Sequence, residues 1–419
     1  MSGAPESTSD TAETESGSGA MPEDTHEQDL TSATPATTAP SSPPPPPTPS
    51  PGGRRRLLRG KRGAALAGVL AGALLGAGTV AWQTDTLPFV PRDLCWGSLS
   101  EDVAFGMFKR EGRLEARELP LEHARGNDAR VRGECRITRI EDGERRWEVT
   151  ARVRDLDELY GLDMREWPDE FLSPRMVPLG GEITGMASPN RAWAALPKSC
   201  TSSSGRAHAP MVVDLSAGVD WIERDDDQAR RAAMARTVVH MTNGLMEKWG
   251  CSGTYADPGE LAPPAETREA GPGDLCGVKG LRLPEAAPGA KGDKVSYLER
   301  VTPGPGEGVR GCEIGTRMEH PDIRFMTVED PDLAQIFMPR TLQGGGERLG
   351  GNGYGVLGGD LSMFRTSCQT GEVAFVMREF DSSHSDWARR LFPAYVKSEA
   401  KRIGCGEVSV EMPRRAGSS

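Results

Sequence analysis

Trp147, Val149, Ala151 and Val153 alternate with Arg146, Glu148, Thr150 and Arg152. That period of two predicts a strand buried on one face. A partner strand runs through Cys135 and Ile137, and "EDG" at Glu141 to Gly143 supplies the turn of a hairpin. The same pattern returns at Cys312 and Ile314, followed by "DIRFMTV". A second hairpin is expected around Cys200, with "RAWAALP" leading in and "APMVVDLS" leading out; its counterpart around Cys368 leads out through "GEVAFVM". Met234, Val238, Met241, Leu245 and Trp249 recur at three and four, the stripe of a helix that faces a core. Phe392, Val396 and Ile403 make a similar stripe, with Pro393 expected to kink or restart the helix. A short helix is expected after Cys95, with Ser100 as its N-cap ahead of Glu101 and Asp102.

These patterns occur twice, in the same order. "PRDLCWG" answers "PGDLCGV", "GECRITRI" answers "RGCEIGTR", "KSCTSS" answers "TSCQTG", and each copy ends on a helix running into a cysteine. The sequence thus predicts a tandem duplication, with the Pro/Ala/Glu-rich "ADPGELAPPAETREAGPG" as linker. The expected fold class is α+β: two related domains, residues 83–262 and 263–419, each a small antiparallel sheet with a C-terminal helix and two disulfides.

Ala64 to Trp82 carries no charged residue over a length that nearly spans a hydrocarbon core of about 30 Å. Charge gives the segment a direction. Residues 1–53 hold eight Asp or Glu and no Lys or Arg, while Arg54, Arg55, Arg56, Arg59, Lys61 and Arg62 form a basic collar. The next basic residue is Arg92. By the positive-inside rule, residues 1–63 are a cytoplasmic tail, 64–82 a transmembrane helix, and the rest extracytoplasmic. The tail's Ser/Thr/Pro/Glu composition predicts disorder, because it buries too little apolar surface to offset chain entropy. Some sixty residues ahead of the span are too many for a cleaved signal peptide. Gly68, Gly72 and Gly76 recur at fours on one face of the span, a surface on which a homodimer could form. A formal charge of -11 argues against nucleic acid as a partner.

All eight cysteines follow the span: Cys95, Cys135, Cys200, Cys251, Cys276, Cys312, Cys368 and Cys405. None forms a Cys-x-x-Cys pair, so a disulfide framework is expected rather than zinc or a redox motif. Four cysteines per copy allow three connectivities. Their placement on the expected elements favours sequential pairing, Cys95–Cys135, Cys200–Cys251, Cys276–Cys312 and Cys368–Cys405. A crossed bond from first to fourth would close a loop of almost a whole domain.

Templates for chemistry give weak matches. Gly353-x-Gly355-x-x-Gly358 has dinucleotide spacing, yet it precedes a strand-like "LSMFRTSC" rather than opening a helix. Ser398-x-x-Lys401 matches a serine–lysine pair, but Lys-Thr-Gly is missing; "QTG" at Gln369 to Gly371 is nearest, and Ser188-x-Asn190 precedes the serine. The acidic run Asp225 to Asp227 lacks the alternating spacing of a calcium loop. His26, His123, His208, His240, His320 and His384 show no metal-ligand spacing, and His240 is expected to flank the core stripe of its helix. No catalytic, cofactor-binding or metal-binding residue is therefore predicted.

With "LCWG" just beyond the span, the Cys135 hairpin, "ALPKSC" and a long helix ending in "WGC", each with a second-copy counterpart, the chain resembles a known group. These are the single-pass membrane proteins with tandem cysteine-paired ectodomains that actinobacteria, streptomycetes in particular, make in large numbers. The resemblance covers roughly Pro91 to Val410 plus the anchor, and it implies a framework without an assigned activity. Copy two departs by placing Gly277 where copy one has Trp96. A weaker likeness is to actinobacterial lipoproteins, whose lipid-modified N-terminal cysteine this chain lacks. The expected function is non-enzymatic binding of a ligand or partner in the envelope. The alternative is a hydrolase of envelope polymers with its site between the copies.

Overall fold

The computed structural model describes residues 93–108, 112–121, 131–156, 171–201, 210–217, 227–283, 296–303, 308–337, 346–358, 360–380 and 387–413. The expected tail and span lie outside these. No described helix is long and apolar enough to cross a membrane. Everything described belongs to one compact unit, Leu87–Ser419.

The first half runs β1 (Asp93–Leu94), β2 (Leu99–Ser100), α1 (Glu101–Phe105), β3 (Arg113–Glu118), β4 (Val131–Glu141), β5 (Glu144–Asp155), β6 (Val177–Pro178), β7 (Gly185–Ala187), β8 (Arg191–Ala195), α2 (Lys198–Thr201), β9 (Met211–Ser216) and α3 (Gln228–Trp249). The second half runs β10 (Arg268–Glu269), a 3-10 turn (Leu275–Gly277), β11 (Leu298–Val301), β12 (Val309–Gly315), β13 (Ile323–Val328), α4 (Pro331–Gln335), β14 (Glu347–Gly351), β15 (Tyr354–Leu357), β16 (Leu361–Cys368), β17 (Gly371–Glu379), α5 (Trp387–Arg402) and β18 (Val410–Glu411). The fold is mixed α+β, and every strand pairing is antiparallel.

The sheets are larger than the small ones expected. One has seven strands in the order β3-β4-β5-β9-β8-β7-β6, and the other has nine in the order β10-β11-β12-β13-β17-β16-β15-β14-β18. Without its edge strands β10 and β18, the second sheet follows the same path as the first. The strands missing from the sequence reading are β1, β2, β3, β6, β7, β10, β11, β14, β15 and β18, all of two to six residues, too short to show a clear alternation.

Alternation of side chains divides the interior into three layers. Val149, Ala151, Val153, Val213 and Leu215 meet Met234, Val238, Met241 and Leu245 of α3 in one core. Phe325, Phe364, Phe375 and Met377 meet Leu391, Phe392, Tyr395 and Val396 of α5 in a second. The opposite faces pack on each other: Met186, Trp193 and Val212 join Met326, Val328, Met363, Ala374 and Val376 in a third. The order is helix, sheet, sheet, helix, with both sheets covered on two sides.

Local chemistry accounts for the elements. Asp142 and Gly143 both take positive φ (53° and 80°), as a two-residue hairpin turn between β4 and β5 requires. Asp227 caps α3 by accepting from the Arg230 N–H, which gives part of the acidic run a structural role. Ser100 precedes α1 as expected but makes no side-chain cap bond. Pro393 neither ends nor restarts its helix. α5 runs through it, because Phe392, Tyr395 and Val396 are held in the core on either side.

Four disulfides close the structure in sequential pairing: Cys95–Cys135, Cys200–Cys251, Cys276–Cys312 and Cys368–Cys405, with Cα separations of 5.4, 5.0, 5.7 and 4.6 Å. The first of each half ties the entry segment to β4 or β12; the second ties the chain after α3 to the short helix α2, which stands where a hairpin around Cys200 was expected, and the chain after α5 to the end of β16. The linker is not a loose tether. Leu261 enters the first core, Ala262 accepts from Arg231, and Arg268–Glu269 adds β10 to the second sheet.

Candidate functional site: a groove over the first helix

The stripe of α3 opposite its core residues carries His240, Asn243, Gly244 and Glu247, spaced to share one face. Two segments rise beside this stripe and make it the floor of a groove.

One wall is the β1–β2 ribbon. At its tip Cys95, Trp96 and Gly97 take φ of 51°, 63° and 73° in succession. For Cys95 and Trp96 the left-handed region is strained, so the surroundings must hold the turn. The Cys95–Cys135 bond does so from below. The Trp96 indole Nε1 donates to the Leu119 carbonyl at 2.7 Å, and Lys248 Nζ donates to the Trp96 carbonyl at 2.7 Å. Ser98 donates through both N and Oγ to the Cys95 carbonyl, at 3.1 and 2.5 Å. Glycine at position 244 lets the ribbon approach. A Cβ there would stand 2.5–2.9 Å from the O, Cα and C of Ser98.

The other wall is the return after α3. Gly250, at φ 68°, ends the helix; its N–H reaches the Glu247 carbonyl and that of Cys251 reaches Met246. Cys251 is bonded to Cys200, and Asn243 then pins the returning chain. Its Nδ2 donates to the Tyr255 carbonyl and its Oδ1 accepts from the Tyr255 N–H, both at 2.8 Å.

Between the walls lies a cavity of about 560 Å³. Its titratable lining is Asp93, Glu247 and His240, with Ser100 and Thr254 adding hydroxyls, and among the described residues no Lys or Arg lines it. His240, expected to flank the core stripe, is exposed on this outward side. The Ser98 hydroxyl is engaged by Cys95, so it is not presented as a nucleophile.

A smaller cavity of about 130 Å³ lies at the junction of the halves. There Lys198 pairs with Asp332 at 2.8 Å, and the Thr184 hydroxyl donates to Asp330 at 2.5 Å. Tyr255 donates to the Ala195 carbonyl at 3.0 Å, and burial, aided by Asp330, pushes its phenol up to about 12. These groups satisfy one another across the junction.

The other sequence candidates fall elsewhere. Gly353, Gly355 and Gly358 lie in and beside the β14–β15–β16 hairpins. A Cβ on Gly353 or Gly355 would strike the Phe364 ring, so the spacing serves strand packing rather than a phosphate. Ser398 and Lys401 sit one turn apart on α5, half-buried and exposed, while Gln369 and Thr370 form the β16–β17 turn. His320 is exposed; His26, His123, His208 and His384 lie outside the described residues. Among the described residues, the one cluster with metal-ligand types is Cys276, Glu299 and Cys312. Its cysteines are bonded to each other, and Glu299 accepts from Arg268 and from the Cys276 N–H. That cluster has no thiolate to offer a metal.

The groove was not read from the sequence. Its one local signal is Gly244, a glycine inside a strong helix pattern, which marks a close packing partner. The partner, Ser98, lies far away along the chain. No protein-family model matches this chain, and no curated protein or solved structure matches it either.

Proposed function

We propose that the chain is a membrane-anchored envelope protein whose exported body binds a small polar ligand in the groove over α3. In this reading residues 64–82 span the membrane, residues 1–63 face the cytoplasm, and the body is a tandem duplication of 83–262 and 263–419. Support for the duplication comes from the common strand order of the two sheets and the matching positions of their disulfides. Support for export comes from four disulfides with no free cysteine, which suits an oxidising compartment. Small residues at Gly68, Gly72 and Gly76 would let two spans associate. The resemblance to streptomycete single-pass proteins agrees with this arrangement.

The groove carries the functional reading. Its volume falls in the range of small-molecule sites, and its walls are fixed by two disulfides and a set of backbone bonds. A rigid, preformed polar cavity is the arrangement expected of a binding protein. The test is a thermal-shift screen of the full-length protein in nanodiscs, using neutral oligosaccharides, amino acids, oligoamines and short peptides. His240→Trp, an exposed substitution that fills the groove, is screened beside it. Ligands that raise the melting temperature of the wild type and not of the variant support the site. A screen in which every hit persists in His240→Trp contradicts it.

A further inference from the structure

We infer that the groove over α3 selects a positively charged ligand, a short oligoamine or lysine-type peptide. This rests on the groove being the binding site. Its two formal charges of fixed sign, Asp93 and Glu247, are both negative, and among the described residues no Lys or Arg lines it. Ionised carboxylates only accept hydrogen bonds, so they match ammonium donors and repel phosphate or carboxylate ligands. Lys248, the next residue along α3, donates to the Trp96 carbonyl and is not among the lining residues, so the fixed charges that face the cavity itself are the two carboxylates.

The second half provides an internal comparison. Counting back from the last cysteine of each half places His240, Asn243, Gly244 and Glu247 opposite Ala394, Lys397, Ser398 and Lys401. Asn243 and Glu247 of the floor thus stand where α5 has Lys397 and Lys401, one carboxylate against two ammonium groups. Negative charge in the groove is not imposed by the shared scaffold; it belongs to the half whose ribbon closes down on Gly244. Among the described residues no aromatic ring lines the cavity, so they offer hydrogen bonds and charge rather than stacking. From His240 to Glu247 the floor runs two helical turns, about 10 Å. An extended tripeptide has about that length.

Calorimetry on the full-length protein in nanodiscs of uncharged lipid tests this with trilysine, its fully acetylated form and triglutamate. Trilysine is expected to bind at least about tenfold more tightly than acetylated trilysine, and triglutamate not at all. Because exposed ion pairs are individually weak, Asp93→Asn and Glu247→Gln should each lower trilysine affinity about three- to fivefold. The double variant should lower it about tenfold or more. Equal binding of trilysine and its acetylated form, both lost in His240→Trp, would overturn the charge selection and leave the groove as the site. Trilysine binding that is indifferent to the double variant and to His240→Trp would place the peptide elsewhere, for example on the acidic tail, and overturn the inference. Absence of trilysine binding would overturn it too.

Discussion

Arg310 and Glu399 form a buried ion pair, Nη1 to Oε1 3.2 Å, at a place where the first half has glycine and leucine. Gly133 and Arg310 each stand two residues before the second cysteine, and Leu245 and Glu399 six before the last. Register agrees: Gly133 pairs with Val153, and Arg310 with Thr327. In the first half the Trp96 ring fills the space above Gly133, 2.8 Å from where a Cβ would be. In the second, Gly277 replaces that tryptophan and the Arg310 guanidinium fills the space, with Nη2 on the Cys276 carbonyl. Glu399 also accepts from Thr327 and Arg402. At these matching sequence positions the two halves thus fill the space differently, with an apolar ring in one and an ion pair in the other.

Removing one partner strands a buried charge, whereas replacing both with apolar groups does not. Glu399→Leu is expected to destabilise by about 3–5 kcal/mol. The double variant Arg310→Met, Glu399→Leu should lose clearly less than the sum of its single variants. Chemical denaturation of the four proteins in the cycle checks this.

The sequence showed those features that rest on local periodicity. Val149, Ala151 and Val153 alternate because one face of β5 meets α3, and the stripe from Met234 to Leu245 is the other side of that core. The cysteine positions, read with these elements, were enough to favour the pairing. What stayed hidden depends on packing against distant segments. Asp214 looks like an outward position among the apolar residues of β9, yet it is fully buried against Arg154, and burial pushes its carboxyl up. Its face of the sheet is turned toward the other half, and one strand carries no sign of that. The groove was hidden for the same reason, since Ser98 and Gly244 meet only in the fold.

Gly244 gives a direct check on that contact. Glycine to alanine inside a helix ordinarily stabilises by up to about 1 kcal/mol. Here a methyl group would meet the Ser98 backbone, which cannot rotate aside. Gly244→Ala should instead lower stability, by about 1–3 kcal/mol. A melting temperature equal to or above that of wild type would show the ribbon is not seated on α3.

Glu379 predicts a pH dependence. One of its carboxylate oxygens accepts from the Ala388 N–H at the start of α5, while Oε2 is buried with no hydrogen-bond partner among the described residues. Burial raises its pKa from 4.5 to about 7; the bond from Ala388 opposes this and Asp360 adds to it. Because the folded value lies above the unfolded one, the folded state keeps its proton longer. The stabilisation is complete below about pH 4.5 and is lost as pH rises to about 7, by on the order of 3 kcal/mol at most. Glu379→Gln should lose less stability than wild type between pH 5 and pH 8, measured by denaturant unfolding at each pH.

Each disulfide closes a loop of 36 to 51 residues, for which chain entropy gives about 4 kcal/mol. Replacing both cysteines of one pair with serine should cost about 2–5 kcal/mol. Peptide mapping without reductant should recover four links, all within one half. A peptide joining Cys95 to Cys251, or any link between halves, would contradict the fold.

The central claim is a disulfide-closed body held outside the membrane by one span. Single added cysteines report on it most directly, because no native cysteine is free to react. Ser418→Cys at the end of the body and Ser7→Cys in the tail are each expressed and treated with a membrane-impermeant maleimide. In intact, wall-stripped cells Ser418→Cys should label and Ser7→Cys should not, with the tail reacting only after lysis. Labelling of Ser7→Cys in intact cells while Ser418→Cys stays protected would contradict the claim.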